Sequence, residues 1–500
     1  MQPTAIPRIA TGNDGLDEIL GGGLPPNRMY LVQGDPGTGK TTLALAFLLE
    51  GARRGEPGTY ITLSETEEEI RASAGSHGWS LDGLCVHEVG NTASDLAAAE
   101  PYTLFHPAEV ELVEFTRKIL EIVEQTRPVR LVLDSLAELR LLSADALRYR
   151  RQLLTLKRFF VGRPTTVLLL DESASDAARC HIESLLHGVI CLERSWRELS
   201  DARHRLRVLK MRGIRFRGGY HDFTIETGGL AIYPRIRIAD HHADFANEMA
   251  TTGLPELDAI LGGGLDRGSA TLLIGPTGSG KSVLATQLAV AAAERGEHVA
   301  LFVFDEVLEA SFSRADGLRI GLREHVRSGR ISARQLDPGE LAAWQFGRAI
   351  LQAVEHDGAR LVVIDSLNGY LNAMSEDRDL DLALHEIFGC LSQLGVIAVS
   401  TMVRHDLVGE RALVRLDISY LSDTVLLLSP FEFKGEMRKS ISVVKRRRGP
   451  HENTIRELHI GPKGLRIGEA LRGLHGVLTG VAVYAGEHAG LPEDDEPDEG

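Results

Sequence analysis

A glycine-rich motif occurs twice in this chain, as GDPGTGKT at Gly34–Thr41 and as GPTGSGKS at Gly275–Ser282. Both copies follow a short apolar run and open a helix-like stretch, which is the context that the phosphate-loop pattern GxxxxGK[ST] requires. The glycines let the backbone curl so that its N–H groups point at phosphate oxygens, and the positive end of the helix adds to the attraction. A glycine-rich turn that binds nothing could explain one copy, but hardly two copies at equivalent positions. We therefore predict that both loops bind a nucleotide.

The lysine and the hydroxyl that end each loop have separate tasks. Lys40 and Lys281 are expected to reach the β- and γ-phosphates, and the hydroxyls that follow them are expected to face Mg²⁺. The residues predicted to bind ATP are Gly34, Gly37, Thr38, Gly39, Lys40, Thr41 and Thr42 in the first copy, and Gly275, Thr277, Gly278, Ser279, Gly280, Lys281 and Ser282 in the second.

Two further blocks recur in the same order as the loops. LDEILGGGL at Leu16–Leu24 returns as LDAILGGGL at Leu257–Leu265, and LVLDSL at Leu131–Leu136 returns as LVVIDSL at Leu361–Leu367. Shared blocks in one order indicate a tandem duplication. The predicted domains are residues 1–240, residues 241–475 and an acidic, disordered tail at 476–500.

The composition is that of a globular, multi-domain protein. Of the 500 residues, 43% are hydrophobic and 25% are charged, and the formal net charge is −15. An acidic surface disfavours nucleic acid and anionic membranes as partners. The four cysteines show neither zinc-ligand spacing nor a disulfide pattern, and the first residues lack the layout of a signal peptide. The apolar runs are too short to span a bilayer. We expect a cytoplasmic protein.

In each copy, short apolar runs alternate with amphipathic stretches, which predicts βαβ crossovers and a mostly parallel central sheet. The later parts of the copies, Arg205–Tyr233 and Ser440–Ile460, are rich in Val, Ile and basic residues and predict β-hairpins. The predicted strands are Met29–Gln33, Tyr60–Leu63, Leu131–Asp134, Thr271–Ile274, Ala300–Phe304 and Leu361–Asp365, and the predicted helices are Thr41–Arg53, Val110–Gln125, Val283–Arg295 and Leu341–Glu355.

An aspartate ends the apolar strand of each Asp-Ser-Leu block. A carboxylate there would lie beside the phosphate loop of a parallel sheet and could hold a water on Mg²⁺. An aspartate that only caps the following helix is the alternative, and the repetition favours the metal role. The predicted metal-binding residues are Thr41, Asp134, Ser282 and Asp365.

The candidate catalytic carboxylates follow the second strand of each copy. The second copy has an adjacent pair, Asp305 and Glu306, whereas the first has Ser64 followed by Glu65. A carboxylate at this place could polarise water or a hydroxyl for in-line attack on the γ-phosphate. A solvated acidic residue is the alternative, and it fits Glu65 better than the pair. Hydrolysis or transfer is therefore better supported in the second copy.

Two basic strands, Arg203–Gly213 and Ser442–Gly449, complete the set of candidate sites. Alternation places their cations on one face of each strand. Such a pair could clamp a phosphate, including one bound to a neighbouring subunit. A solvated basic face and a nucleic-acid patch are the alternatives, and the residues themselves do not decide between clamp and solvated face. The cations concerned are Lys210, Arg212, Lys445 and Arg447.

Together these residues resemble the KaiC family of RecA-like phosphate-loop ATPases, in register from about Thr11 to Leu474. The segments Leu416–Leu428 and Phe433–Gly449 look especially like its second domain. The resemblance implies two tandem RecA-like domains and a homohexamer with ATP between subunits. It further implies that the four cations, Lys210, Arg212, Lys445 and Arg447, contact the nucleotide bound to a neighbouring subunit. It also implies that the first domain hydrolyses ATP and that the second phosphorylates its neighbour.

In the family, the phosphate acceptors are a serine and a threonine just before a strand. Here Ser419 matches the serine and Tyr420 replaces the threonine. The resemblance thus implies Ser419 as the phosphoacceptor, while a strand-end serine with no chemistry is the alternative. The carboxyl-terminal residues of this chain do not resemble the regulatory tail found in the members of this family that act in a circadian clock. No clock function is therefore predicted.

We predict an α/β protein with two phosphate-loop domains that bind Mg²⁺ and ATP, hydrolyse ATP and autophosphorylate. Nucleotide or phosphorylation state would then select an unidentified small regulatory protein as partner. A non-enzymatic scaffold held together by ATP is the main alternative, and Ser64 gives it some support. A RecA-like motor that remodels DNA is a third reading, which the net charge disfavours.

Overall fold

The computed structural model describes residues 7–89, 107–143, 146–172, 183–195, 202–337, 339, 341–373, 380–403, 418–462, 464–479 and 482–484. The chain divides into two compact units, Met1–Arg235 and Ile236–Gly500. Each is a layered α/β unit, so the predicted fold class is confirmed. Of the predicted tail at 476–500, residues 480–481 and 485–500 lie outside the described residues, whereas the rest contains the 3-10 helix Val477–Thr479 and the strand Val483–Tyr484.

The first unit is built on one sheet with the strand order β3-β2-β4-β5-β1-β6-β7-β8-β9. Its strands are β1 Met29–Gly34, β2 Gly58–Thr62, β3 Cys85–Glu88, β4 Arg130–Asp134, β5 Thr166–Asp171, β6 Gly188–Ser195, β7 Arg203–Met211, β8 His221–Glu226 and β9 Gly229–Tyr233. Its helices are α1 Asp14–Leu20, α2 Lys40–Arg53, α3 Glu67–Ser76, α4 Pro107–Thr126, α5 Leu136–Leu141 and α6 Ala146–Phe160.

The second unit repeats this order as β14-β13-β15-β16-β12-β17-β18-β19-β20. Its strands are β10 Met249–Ala250, β11 Leu265–Asp266, β12 Ala270–Gly275, β13 His298–Val303, β14 Ile331–Gln335, β15 Ala359–Asp365, β16 Ile397–Val403, β17 Thr424–Phe433, β18 Glu436–Arg446, β19 Arg456–Gly461, β20 Gly464–Ala470, β21 Leu474–His475 and β22 Val483–Tyr484. Its helices are α7 Pro255–Ile260, α8 Lys281–Glu294, α9 Leu308–Gly317, α10 Leu322–Arg327, α11 Ala343–Glu355, α12 Leu367–Ala373 and α13 Leu380–Gln393, and the short 3-10 helices are Ile238–Asp240, Ile418–Leu421 and Val477–Thr479.

Neighbouring strands run parallel from one edge of each sheet to β6 or β17, and antiparallel beyond it. The parallel part comes from strand–helix alternation, and the antiparallel part contains the predicted hairpins. Both predictions are confirmed.

Strand β1 shows why these sheets are covered on both faces. Successive side chains of a strand point to opposite faces. Met29 and Leu31 belong to one hydrophobic cluster of buried residues, whereas Tyr30 and Val32 belong to another. The strand is buried on both sides, as expected of a parallel sheet between helix layers.

The phosphate loops leave the carboxyl ends of β1 and β12, where ligands bind in open α/β sheets. Gly39 and Gly280 precede the helices that follow, with φ of 87° and 110°. Only glycine adopts such angles without strain. A Cβ atom at Gly280 would also lie 2.6 Å from Cδ1 of Ile460, so the Ile460 side chain would have to move to admit a larger residue. None of the helices in the described part of the chain is both long and apolar enough to cross a membrane.

Candidate functional site

Each loop lysine folds back over its own loop. Lys40 Nζ donates to the carbonyl oxygens of Gly34 and Asp35 at 2.8 and 3.0 Å. Lys281 Nζ donates to those of Gly275 and Pro276 at 2.9 and 2.8 Å. Burial lowers the pKa of both lysines, although nearby carboxylates oppose the shift. An anionic phosphate at the loop would raise the pKa of the lysine again, because a negative charge nearby favours the ammonium form.

The other predicted loop residues support the loop or line its cavity. Thr38 is fully buried and donates a hydrogen bond of 2.8 Å to the carbonyl of Asp35. The hydroxyl of Thr42 lies 3.2 Å from Nε2 of His77, which follows α3. Ser279 is buried, and Thr277 and Gly278 line a cavity beside the second loop.

The structure brings the predicted metal-binding residues together in pairs. Thr41 Oγ1 donates to Asp134 Oδ2 at 3.1 Å, and Ser282 Oγ donates to Asp365 Oδ1 at 3.0 Å. Both aspartates are buried, and the peptide bond that follows each of them is cis. Burial raises the pKa of Asp365 against the effect of its hydroxyl donors. A divalent cation at this position would instead favour the ionised carboxylate.

Two hydroxyl groups that the sequence did not suggest also contact these aspartates. Tyr60, in β2, donates to Asp134, and Thr401, in β16, donates to Asp365. The two units thus support equivalent carboxylates from different neighbouring strands. Strand β2 pairs with β4, and β16 pairs with β15. The sequence carries no distinct signal for either residue, because β2 and β16 each contain other hydroxyl side chains, such as Thr62 and Ser400.

The second site opens on a cavity of about 810 Å³. This volume falls within the range of small-molecule sites. The side chains that line it and bear on the chemistry are Lys281, Ser282, Asp305, Glu306, Arg314 and Asp365. Predicted metal-binding and catalytic residues therefore face one space beside the loop.

The two predicted catalytic carboxylates of this site have different partners. Asp305 accepts a hydrogen bond from Ser366, the residue after Asp365. Glu306 accepts two from the guanidinium of Arg314, at 2.5 and 2.6 Å, and one from Ser311. The hydrogen bonds from Arg314 lower the pKa of Glu306 despite partial burial. Glu306 is therefore ionised at neutral pH and can accept a proton. The sequence did not indicate Arg314, because its contact with Glu306 depends on the position in which helix α9 places the guanidinium.

The first site holds its predicted carboxylate differently. Thr62 fixes the backbone at Glu65, with its hydroxyl 2.7 Å from the Glu65 carbonyl and 2.9 Å from its N–H. Loss of hydration and the negative charge of Asp134 raise the pKa of Glu65. A raised pKa makes a carboxylate a stronger base once it is ionised.

Asp171 is a further carboxylate of the first unit that the sequence reasoning passed over. It ends β5 and is 3% exposed, and Arg140 Nη1 lies 3.1 Å from its Oδ2. Burial outweighs this ion pair and raises the pKa of Asp171 to about 6. The sequence signal for this residue was its place at the end of an apolar run, TVLLLD, the same pattern that indicated Asp134 and Asp365.

The predicted basic pairs lie just beyond a β-bulge in both units. In the register of β6 and β7, the partners pass from Val189 and Lys210 to Ile190 and Val208, so Leu209 is left over. Val444 is left over in the same way before Lys445. A bulge re-aims the side chains that follow it.

Three of the four predicted basic side chains, Lys210, Arg212 and Arg447, donate hydrogen bonds to carbonyl groups of their own unit. Lys210 Nζ lies 2.6 Å from the carbonyl of Glu183, and Arg212 Nη2 lies 2.9 Å from that of Ser184. Arg447 Nη2 lies 2.6 Å from the carbonyl of Tyr420. Ser419 falls in the short helix Ile418–Leu421, but its side chain lies outside the described residues.

Each pair of a hydroxyl and a carboxylate fits Mg²⁺, which prefers oxygen ligands and takes few from the protein when a substrate supplies phosphate oxygens. Among the described residues, no group of three or more His, Cys, Asp or Glu gathers as a self-sufficient metal site.

Two sheets with phosphate loops at the carboxyl ends of their central strands, each loop beside a strand-end aspartate, define a tandem phosphate-loop ATPase. The family model of the KaiC ATPase matches the chain twice, over residues 9–237 and 250–472. This chain belongs to the KaiC ATPase family.

Curated relatives resemble the chain over nearly its whole length. The circadian clock oscillator protein KaiC of Parathermosynechococcus lividus is 27% identical over 479 residues, which are 95% of this chain and 88% of that protein. The protein of the same name from Synechococcus elongatus is 27% identical over 482 residues, 95% of this chain and 92% of that protein. The circadian clock protein KaiC3 of Synechocystis sp. is 26% identical over 495 residues, 96% of each chain.

Proposed function

We propose that this chain binds Mg²⁺ and ATP at both loops, hydrolyses ATP, and uses its second site to phosphorylate Ser419 of a neighbouring copy. The observation that carries the proposal is the convergence of Lys281, Ser282, Asp365 and Glu306 on one cavity. Membership of the KaiC ATPase family supports the hydrolysis, because the family model that matches both units is that of an ATPase.

Binding follows from the loop. Its N–H groups and Lys281 would hold the β- and γ-phosphates, since the lysine already lies over the loop with its charge poorly hydrated. Mg²⁺, held between Ser282 and Asp365, would neutralise charge that develops on the phosphates. The cavity keeps these groups partly shielded from water, which strengthens their interaction with an anion.

Glu306 would accept the proton of the attacking group. In hydrolysis this group is water, and in autophosphorylation it is the Ser419 hydroxyl. An oxygen–phosphorus bond forms to the γ-phosphorus while its bond to the β,γ-bridging oxygen breaks, and ADP leaves. The two hydrogen bonds from Arg314 would fix the direction of the carboxylate during this transfer.

In the first site, Glu65 would play the part of Glu306. It has no described arginine partner comparable to Arg314, and its pKa is raised rather than lowered. Water is the acceptor there, so the first site would release phosphate without labelling the protein.

The subunits would form a homohexamer with ATP at their interfaces. Lys210, Arg212, Lys445 and Arg447 would then exchange contacts within their own unit for phosphate oxygens of a neighbour. Arg212 and Arg447 are exposed, which is compatible with such an exchange. A small regulatory protein that reads the nucleotide or phosphorylation state belongs to the same proposal.

The chemistry is tested by incubating the full chain with Mg²⁺ and ATP and following released phosphate and intact mass. Lys40→Ala and Lys281→Ala assign turnover to each site. The expected result is phosphate release by both single variants and a gain of one phosphate that only Lys40→Ala retains.

Ser419→Ala should abolish the mass gain, whereas Ser328→Ala, at an exposed serine on another segment, should keep it. Hydrolysis without a mass gain would remove the kinase part. Binding without product would favour the scaffold held together by ATP.

The oligomer is tested by sizing the full chain with and without a non-hydrolysable ATP analogue. We expect a hexamer that depends on the nucleotide and is weakened by Arg447→Ala. A monomer under both conditions would overturn the roles between subunits.

A further inference from the structure

Arg194 extends from β6 over the first phosphate loop. It stands two residues beyond Leu192, which pairs with Gly34 at the end of β1. A Cβ atom at Gly37 would lie 3.1 Å from Nη1 of Arg194 and 3.9 Å from its Cζ. The guanidinium is therefore in van der Waals reach of the loop backbone. Because β1 and β6 are neighbours in one sheet, this cation belongs to the same unit as the loop.

Several carboxylates lie near Lys40, so a phosphate at this loop would be stabilised further by a second cation. The carboxylates of Asp134, Glu172, Asp35 and Asp171 all act on its ammonium group. Of these, Asp171 is neutralised in part by Arg140. A polyphosphate with several negative charges would meet an acidic surrounding if only one lysine and one Mg²⁺ opposed it. A guanidinium beside the loop corrects this imbalance and can bind two phosphate oxygens at once.

The second site places its cation from the next strand instead. Leu428, whose carbonyl lies against Gly275 as that of Leu192 lies against Gly34, is followed two residues later by Pro430. Pro430 pairs with Lys439 in β18, and Lys439 lines the cavity. In the first unit the corresponding pair is Arg194 and His204. At these two equivalent strand pairs, the first unit has its cation, Arg194, on β6, whereas the second unit has its cation, Lys439, on β18.

We propose that Arg194 is a second phosphate-binding residue of the first site, acting on a nucleotide held by its own chain. Its guanidinium donates hydrogen bonds to the β- or γ-phosphate oxygens of a nucleoside di- or triphosphate on the Gly34–Thr41 loop. This inference rests on the proposed function, because it requires that the first loop binds a nucleotide. It adds a contact that discriminates between nucleotides by their phosphates and not by their base.

The test uses the full chain with the second site disabled by Lys281→Ala, and equilibrium binding of ATP, ADP and AMP as the readout. Arg194→Gln should raise the Kd for ATP about tenfold or more, as expected for charge-assisted hydrogen bonds. The Kd for AMP should stay within about twofold, because AMP lacks the β- and γ-phosphates. Arg194→Lys should retain part of the affinity, since it keeps the charge but not the fork.

Arg207→Gln is the matched control. Arg207 lies on the adjacent strand, forms an ion pair of 2.8 Å with Glu193 and stacks on Tyr220. This control should leave the Kd for ATP unchanged. Thermal unfolding without nucleotide should be the same for both glutamine variants, so that an affinity loss reports on the ligand.

Equal binding of ATP by Arg194→Gln and its parent would overturn the inference and leave the proposed function intact. Equal losses for ATP and AMP would also overturn it, because the contact would then not be with the outer phosphates. If the Lys281→Ala parent binds no ATP at all, the proposed function of the first site fails, and the inference fails with it.

Discussion

Ser282 donates a hydrogen bond of 3.0 Å from its Oγ to Oδ1 of Asp365. Thr41 makes the equivalent contact with Asp134 at 3.1 Å. In both units, the first turn of the helix after the loop is thereby tied to the end of a central strand. This link fixes a hydroxyl and a carboxylate side by side where Mg²⁺ would need them.

Asp365→Asn should raise the Mg²⁺ concentration needed for half-maximal turnover at the second site about tenfold or more, as losses of metal-site partners typically do. The reason is that an amide lacks the charge that would attract the cation. The measurement is a Mg²⁺ titration of phosphate release in the Lys40→Ala background.

The equivalent substitution in the other unit gives a second, independent test of the same assignment. Asp134→Asn should alter the titration in the Lys281→Ala background, where only the first site turns over. A Mg²⁺ dependence that neither substitution alters would contradict the assignment of both aspartates.

Arg314→Gln should shift the acidic limb of the pH profile at the second site to higher pH. Arg314 lowers the pKa of Glu306 through hydrogen bonds, so its removal raises that pKa. If Glu306 accepts the proton, its ionised fraction at mildly acidic pH then falls, and kcat/KM falls with it.

The comparison for this profile is Arg323→Gln in the same Lys40→Ala background. Arg323 forms its ion pairs with Glu309 and Asp316, at 2.7 and 3.1 Å, on the surface of the same unit. Its loss should leave the profile where it was. An acidic limb that stays in place in Arg314→Gln would argue against Glu306 as the proton acceptor.

The parts of the site that the sequence predicts are those set by local spacing. A phosphate loop needs its glycines, lysine and hydroxyl within one short segment, so the residues are consecutive. The strand-end position of Asp134 and Asp365 follows from the apolar run before each of them. Their pairing with Thr41 and Ser282 follows in turn from the parallel sheet.

The parts that could not be predicted depend on which strands become neighbours. Tyr60 and Thr401 contact equivalent aspartates from non-equivalent strands, which no repeat pattern indicates. Arg194 reaches the first loop only because β6 pairs with β1 in a particular register. The bulge at Val444 breaks simple alternation, and nothing in the composition of β18 marks the place.

Asp171→Asn should flatten part of the dependence of folding stability on pH. Burial raises the pKa of Asp171 from 3.8 to about 6. The native state therefore holds this proton at pH values where the unfolded chain has lost it. Stability falls as the pH rises from about 4 to about 6, and the native state carries the full cost above that window. The cost is on the order of 2–3 kcal/mol.

The measurement is urea-induced unfolding of the full chain and of Asp171→Asn at several pH values between 4 and 7. The variant should gain stability relative to the parent as the pH rises, and the two should converge near pH 4. Asp82→Asn, at an exposed position, should follow the parent throughout. Curves for parent and Asp171→Asn that stay parallel would contradict the raised pKa.

Arg130→Met should destabilise the first unit by about 3 kcal/mol. Nothing in the sequence distinguishes this arginine, which begins β4, from a solvent-exposed one. Its side chain is fully buried. Nε donates to Glu56 at 2.6 Å, Nη1 donates to the carbonyls of Ala10 and Phe47 at 2.7 Å, and the guanidinium lies 4.7 Å from the centre of the Phe47 ring.

Methionine would fill much of the space left by Arg130 but would remove the hydrogen bonds that the guanidinium donates to Ala10, Phe47 and Glu56, and that loss dominates. Glu56 is partly exposed and can regain water, which keeps the cost below that of a stranded buried charge. Arg53→Met, at a side chain that is 69% exposed, should change the unfolding free energy by less than about 0.5 kcal/mol. Urea unfolding of the two variants decides the matter: equal stabilities would mean that β4, and with it Asp134, does not depend on this arginine.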